Sequence, residues 1–227
     1  MAIFAAMSTV LPEIDRQETS QTSFEATLRA ALDRIVPDRD LHARWLNTLS
    51  YMEHIGATKI ARTQSGPRAT YMGLKHAAEE ARHAFFLKKL ALRVQPETHP
   101  DYAPEHLLSP VLSQQYLNRL DIAASRLARK AGLTGRKMHD LAYLLVTYAI
   151  EVRADDLYPV YQDYLVDYTL AKLSVQGIIN EEEGHLAEME TMLAAYPAEI
   201  QALKEDMLAL EGELCGEWLK AVLSEVA

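Results

Sequence analysis

The chain has 227 residues, 49% of them hydrophobic and 24% charged, a balance that supports one compact domain and excludes a largely disordered chain. Its net charge of −9 sets a repulsive average field against polyanions, so nucleic acid is not an expected partner. A single cysteine, Cys215, excludes an internal disulfide and a multi-cysteine metal centre, and no apolar run approaches the roughly 20 residues that cross a bilayer, so a soluble, cytoplasmic protein is expected.

Residues 1–11 are apolar, but no Lys or Arg precedes them, so they read as a terminal arm rather than a signal peptide. Residues 12–23 are polar and predict an extended lead-in, which makes 1–23 an N-terminal arm and 24–227 a single domain. Beyond them apolar positions recur every three or four residues, and no period-2 alternation stands out; this pattern predicts an all-α fold. Helices are predicted at 24–36, 40–64, 67–94, 109–131, 135–165, 168–195 and 197–225. Pro37, Ser65-Gly66-Pro67, the loop from Pro96 to Pro104, Gly132 to Gly135, and Pro197 supply the breaks.

Four of these helices carry polar groups on their inward stripes. The stripe of 40–64 reads Leu46, Leu49, Glu53, Ala57, Ile60, and that of 67–94 reads Gly73, His76, Glu80, His83, Leu87, Leu90. The stripe of 135–165 reads Leu144, Tyr148, Glu151, Asp155, Tyr158, and that of 168–195 reads Val175, Ile178, Glu182, His185, Met189, Met192. Two stripes are therefore interrupted by the same Glu-x-x-His. That spacing sets a carboxylate and an imidazole on one face, one turn apart, where both can reach a single ion. Four inward carboxylates repel one another unless they take up protons or a cation neutralises them, and two divalent ions would balance four negative charges.

Antiparallel helices bring two residues level when their midpoint falls in the connecting turn. For Glu53 and Glu80 the midpoint lies between Gly66 and Pro67; for Glu151 and Glu182 it lies in Val166-Asp167-Tyr168. Both hairpins pass, and they look like two copies of one plan.

One Glu from each of two helices plus Glu-x-x-His from each of two others is the inventory of ferritin-like di-iron and di-manganese bundles. The chain resembles that superfamily of carboxylate proteins, whose oxygenase members show a Glu followed at distance by (Asp/Glu)-Glu-x-Arg-His. Glu53 with Glu79-Glu80-Ala81-Arg82-His83 matches the first motif; Glu151 with Glu181-Glu182-Glu183-Gly184-His185 matches the second except that Gly184 replaces the arginine. The resemblance implies a ferritin-like four-helix bundle with additional helices before, between and after the two metal-binding hairpins. It also implies that Glu80 and Glu182 bridge two ions, that Glu53 and Glu151 are terminal ligands, and that His83 and His185 bind one ion each.

Ligand histidines usually give their second ring nitrogen to a carboxylate. Glu79 is therefore expected opposite His185, and Glu181 opposite His83. Tyr148 and Asp155 share the face of Glu151 and are expected beside the ligands. His76 reads as a structural core histidine, outside the ligand set, while His42, His54, His99, His106 and His139 are expected at the surface. Leu203, Met207, Leu210, Leu214, Trp218 and Val222 form a near-heptad stripe that suits docking on the bundle or a homodimer; docking is the expectation, with the Glu and Lys between them on a solvated face.

Carboxylate and imidazole donors without thiolate suit iron or manganese, and the resemblance favours two Fe ions over Mn/Mn or Mn/Fe. It implies an O2-activating oxygenase that forms a bridging peroxo species and oxidises a small organic substrate. No flavin, nicotinamide or iron–sulfur motif is present, so an external reductase or ferredoxin is an expected partner. A di-manganese catalase, a rubrerythrin-like peroxidase, an iron-storage protein and a metal-free structural bundle are the alternatives.

Overall fold

The segments with three-and-four apolar spacing fold as helices, and no strand occurs among the described residues. The computed structural model describes residues 11–67, 69–96, 99–167 and 173–227. Its elements are α1 (Leu11–Ile35), α2 (Arg39–Thr63), α3 (Tyr71–Val94), a 3-10 turn (Pro104–His106), α4 (Pro110–Lys130), α5 (Gly135–Asp167), α6 (Gln176–Ala194), α7 (Ala198–Gln201) and α8 (Leu203–Glu225).

Four boundaries differ from expectation by more than two residues, one of them the start of α3 at Tyr71 rather than 67. Helix α1 begins at Leu11, so residues 12–23 are helical rather than an extended arm. Polarity removes the apolar stripe there, but Glu, Gln and Arg remain good helix formers, and Pro12 stands in the first turn where its missing N–H costs nothing. The remainder of the expected arm lies outside the described residues. Helix α6 starts at Gln176, not 168, and of the residues between, 168–172 lie outside the description. The last predicted helix is two, broken by a turn at Ala202.

The helix ends follow from local chemistry. The Asp38 carboxylate accepts from the backbone N–H groups of Asp40 and Leu41 at 2.9 and 3.0 Å and so caps α2. The Thr70 hydroxyl accepts from Gly73 N–H at 3.1 Å to cap α3. Between α4 and α5, Gly132 has φ of 80° and Leu133 N–H reaches back to the Ala128 carbonyl at 3.1 Å, the left-handed closure that glycine permits without strain.

Helices α2 and α3 form one hairpin, and α5 and α6 form another. Partner numbers fall along α6 as they rise along α3, from Lys75–Glu188 to Arg82–Glu181, so these two helices run antiparallel. Helix α8 docks on α1, α4 and α5, with Met207, Leu214, Trp218 and Val222 buried as a stripe. The apolar core lies on this side: Trp45 stacks on Trp218 at 5.6 Å, Tyr161 meets Trp45 edge-on, and Leu28, Leu32 and Ile35 of α1 cover them. No described helix is long and apolar enough to cross a membrane.

One polar group of the α8 stripe departs from the expected solvated face. Glu211 is 1% exposed. Arg153 donates to both of its carboxylate oxygens, at 2.7 to 3.1 Å, and the Tyr116 hydroxyl adds a bond at 2.6 Å. The charge is tolerated because it is paired and hydrogen-bonded.

Candidate metal centre

In the first hairpin Glu53 lies ten residues before Thr63 and Glu80 nine after Tyr71, which sets both carboxylates roughly 15 Å from the turn. Ser50 donates to the Ala84 carbonyl at 2.6 Å and holds the two helices close. The second hairpin reaches the same result by another route. Helix α5 runs 16 residues past Glu151, whereas α6 starts only six before Glu182, an offset of roughly 15 Å. Gln162 accepts from the Val175 N–H at 2.7 Å and from the Ser174 hydroxyl at 3.0 Å, fixing the start of α6 beside α5 well short of its end. The expected turn at 166–168 is therefore not symmetric, although Glu151 and Glu182 both reach His185 Nδ1, at 3.7 and 3.1 Å.

The six ligand candidates converge. Glu80, His83, Glu151, Glu182 and His185 are each no more than 5% exposed, and Glu53 is half-buried. Two sets form, each with ligand atoms within 4.8 Å of one another: Glu53, Glu80, His83 and Glu182, and His76, Glu80, Glu151 and His185. Glu80 belongs to both, its Oε2 lying 3.6 Å from His83 Nδ1 and its Oε1 3.5 Å from His185 Nδ1. Glu182 divides in the same way, with Oε1 2.9 Å from His83 Nδ1 and Oε2 3.1 Å from His185 Nδ1. Each of these two carboxylates thus offers one oxygen to either side.

The imidazoles are held from behind. His83 Nε2 lies 2.8 Å from Glu181 Oε2, and His185 Nε2 lies 3.0 Å from Glu79 Oε2, so Nδ1 of both rings faces the carboxylates. Arg82 adds a bond to the same Glu181 oxygen at 2.5 Å and so joins α3 to α6. The His83 Nδ1 and Glu151 Oε2 atoms are enclosed and make no well-aligned hydrogen bond, although Glu182 Oε1 lies 2.9 Å from the first and His185 Nδ1 3.7 Å from the second. Buried donors that crowd a shared centre without satisfying one another's geometry fit a cation.

Burial pushes every carboxyl in the cluster up. Glu53 stays well above its usual range because the charges of Glu80 and Glu182 add to that burial, and Glu151 is pushed up to about 8 by burial and its bond to Glu182. For Glu80, burial is outweighed by hydrogen bonds with His76 and His83, and its carboxyl falls below the usual range. Glu182 falls to about 2, since bonds with Glu151, His185 and His83 outweigh its burial. Burial likewise pulls the imidazoles down, but their carboxylate partners raise His83 to about 12, His185 to about 11 and His76 to about 9. Without metal, protons keep the cluster near neutrality. Divalent cations can take their place.

Three expectations are corrected. His76 is not a bystander: its Nε2 lies 2.9 Å from Glu80 Oε1 and 3.2 Å from Glu151 Oε1, and its Nδ1 lies 3.1 Å from the Tyr143 hydroxyl. It was legible as an inward histidine one turn before Glu80, a position that needs a partner. Tyr148 faces away from the centre, its ring 6.0 Å from the Lys204 ammonium, and Asp155 is exposed. Both lie roughly 40–60° to one side of Glu151 on α5, whereas Tyr143, Thr147, Ala154 and Tyr158 lie on the other side. That second flank faces the centre, and Tyr158, 3% exposed, donates its hydroxyl proton to Glu53. Finally, His42 and His99 are buried rather than at the surface, His42 Nε2 pairing with the Tyr161 hydroxyl at 2.6 Å.

A cavity of about 460 Å³ reaches the centre from the side of α2, α4 and α5. Glu53, His76, Glu80, Glu151 and Tyr158 line it, and the lining continues past Glu53 to Leu49 and past Glu151 to Leu157; His83, Glu182 and His185 are not part of its wall. Comparison with protein families, with curated proteins and with solved structures finds no match to this chain.

Proposed function

We propose that the protein is a ferritin-like, two-metal carboxylate oxidoreductase that uses O2 to oxidise a small organic substrate, with iron as the resident metal. The observation that carries this reading is the division of Glu80 and Glu182, each offering one oxygen to His83 and the other to His185. In this reading Glu80 and Glu182 would be shared between two ions; Glu53 and His83 would hold one, and Glu151, His185 and His76 the other. A pair of iron ions, when bound, supplies the electrons and the open coordination positions that O2 chemistry needs.

The chain's own residues hold and orient. Glu79 and Glu181 keep Nδ1 of the two histidines turned inward, and Tyr158 steadies Glu53 in the cavity wall. Burial of Glu80, Glu151 and Glu182 to 5% exposure or less keeps bulk water from them, while the cavity leaves Glu53, Glu80 and Glu151 open to a substrate. A chamber of this size supports an organic substrate over peroxide or free iron, and hence an oxygenase over a catalase or storage protein. Electrons for repeated turnover come, in this proposal, from a separate reductase or ferredoxin.

Ferrous-loaded protein, prepared without air and then mixed with oxygenated buffer, is expected to consume O2 in proportion to its iron, and the Glu80→Ala variant is expected to consume none. Rapid O2 release from peroxide by manganese-loaded protein, with no O2 uptake by the ferrous form, would establish the catalase instead. A closed multi-subunit cage taking up many irons per chain would establish storage.

A further inference from the structure

The cavity has a direction. Its wall on α2 runs from Leu49 to Thr63 and its wall on α5 from Tyr158 to His139, so it follows the bundle axis. Nine residues separate Glu53 from Arg62 and twelve separate Glu151 from His139, which makes the passage roughly 14–18 Å long. Between mouth and centre the lining is mostly apolar, with Ile60, Leu117, Val146 and Ile150 beside Tyr143 and Thr147, and the lining continues past Glu53 to Met52 and Leu49. The outer end is polar, with exposed Arg62 and His139 beside the Lys59–Asp121 ion pair.

Two details bear on the occupant. Gly56 lines the passage in the interior of α2, and a Cβ built there meets nothing within 4 Å. Glycine inside a helix costs about 1 kcal/mol relative to alanine, so local stability disfavours it; what it provides is room one turn beyond Glu53. At the mouth, Lys59 is engaged by Asp121, whereas the Arg62 guanidinium makes no ion pair among the described residues. It is a cation offered at the entrance of an apolar passage in a chain whose net charge is −9.

We infer that the substrate is an anionic single-chain amphiphile whose headgroup rests at Arg62 and whose apolar chain lies past Gly56 and alongside Glu53 and Glu151. The inference rests on the oxidoreductase reading of the centre and names the substrate class for it. It also sets the orientation: the carbon presented to the centre is one roughly 14–18 Å from the charged head. Apolar walls bind the chain, and the cation selects the head.

The test is calorimetric titration of decanoate, decanol and decyltrimethylammonium into metal-free protein, with metal content measured separately. One decanoate per chain is expected, bound about tenfold more tightly than decanol, and no binding of the cationic analogue. Arg62→Glu is expected to lower decanoate to the level of decanol. Gly56→Leu, which should raise helix propensity while filling the passage, is expected to abolish binding of both without changing metal content and without lowering the unfolding temperature. Unchanged decanoate binding in Gly56→Leu, or equal binding of anionic and cationic chains, would overturn the inference. Native protein that holds metal but binds no decanoate defeats this inference alone; native protein that binds decanoate but takes no metal defeats the oxidoreductase reading.

Discussion

His76 decides how symmetric the centre is. With it, the Glu151 side has two imidazoles and the Glu53 side one, so the two candidate ligand sets are unequal. His76→Gln is expected to leave the Glu53–His83 position filled and empty the other at limiting metal, lowering bound metal to about half by elemental analysis; an unchanged content would return His76 to a structural role. The protonation pattern adds a second expectation. His83, His185 and His76 are raised to about 12, 11 and 9, so at neutral pH metal must displace their protons. Affinity should therefore rise from pH 6 to pH 8, with proton release seen as buffer-dependent heats of binding. At this scale the sequence was informative where spacing alone decides a face. Glu-x-x-His allows little else, and the crossed contacts of Glu79 and Glu181 follow from their place directly before the two central glutamates. Around Glu151, positions three and four residues away exist on both flanks, and periodicity does not say which flank is inward; Tyr148 and Asp155 were read on the wrong one.

Among the elements, α5 carries two polar clusters on different faces. Glu151 serves the centre, while two residues later Arg153 turns to α8 and meets Glu211 and Asp156. Removing one partner of a buried ion pair strands the other, so Glu211→Ala should lower unfolding stability by about 3–5 kcal/mol in denaturant titrations. A loss below about 1 kcal/mol would mean that Arg153 finds solvent or another carboxylate. This pair was not legible in advance: a glutamate on a heptad stripe has the same spacing whether it is solvated or paired inside. The α5–α6 connection shows the opposite case. The midpoint rule put Glu151 and Glu182 level by assuming a symmetric turn, and they meet although α6 starts eight residues late; Gln162, which no periodicity marks, fixes that start. The α2–α3 hairpin obeys the rule for the assumed reason, because Ser65-Gly66-Pro67 ends one helix where the midpoint requires it.

Over the whole molecule, an apolar core and a polar centre share α2 and α5, so chemistry and stability are linked. His42 belongs to the core side. Burial lowers it from the usual 6.5 to about 4, which means the unfolded chain binds its proton first as pH falls. Stability from this residue is complete above pH 6.5 and is lost as pH falls through 4, an effect of roughly 3 kcal/mol at about 1.36 kcal/mol per unit. Denaturation of His42→Gln and the native chain at pH 7 and pH 4 should show that much less acid sensitivity in the variant; parallel losses would place the acid sensitivity elsewhere. Helical class and docking of the last helix were readable from periodicity and breakers. The cavity was not, since it depends on how three helices sit around it.

The most direct measurement is anomalous diffraction from crystals of protein purified with ferrous iron, at the metal absorption edge. Two peaks about 3.5–4 Å apart, one beside Glu53 and His83 and one beside Glu151, His185 and His76, with Glu80 and Glu182 between them, are expected. Density for neither ion, with the same side chains in place and Glu80→Ala folding as stably as the native chain, would contradict the account.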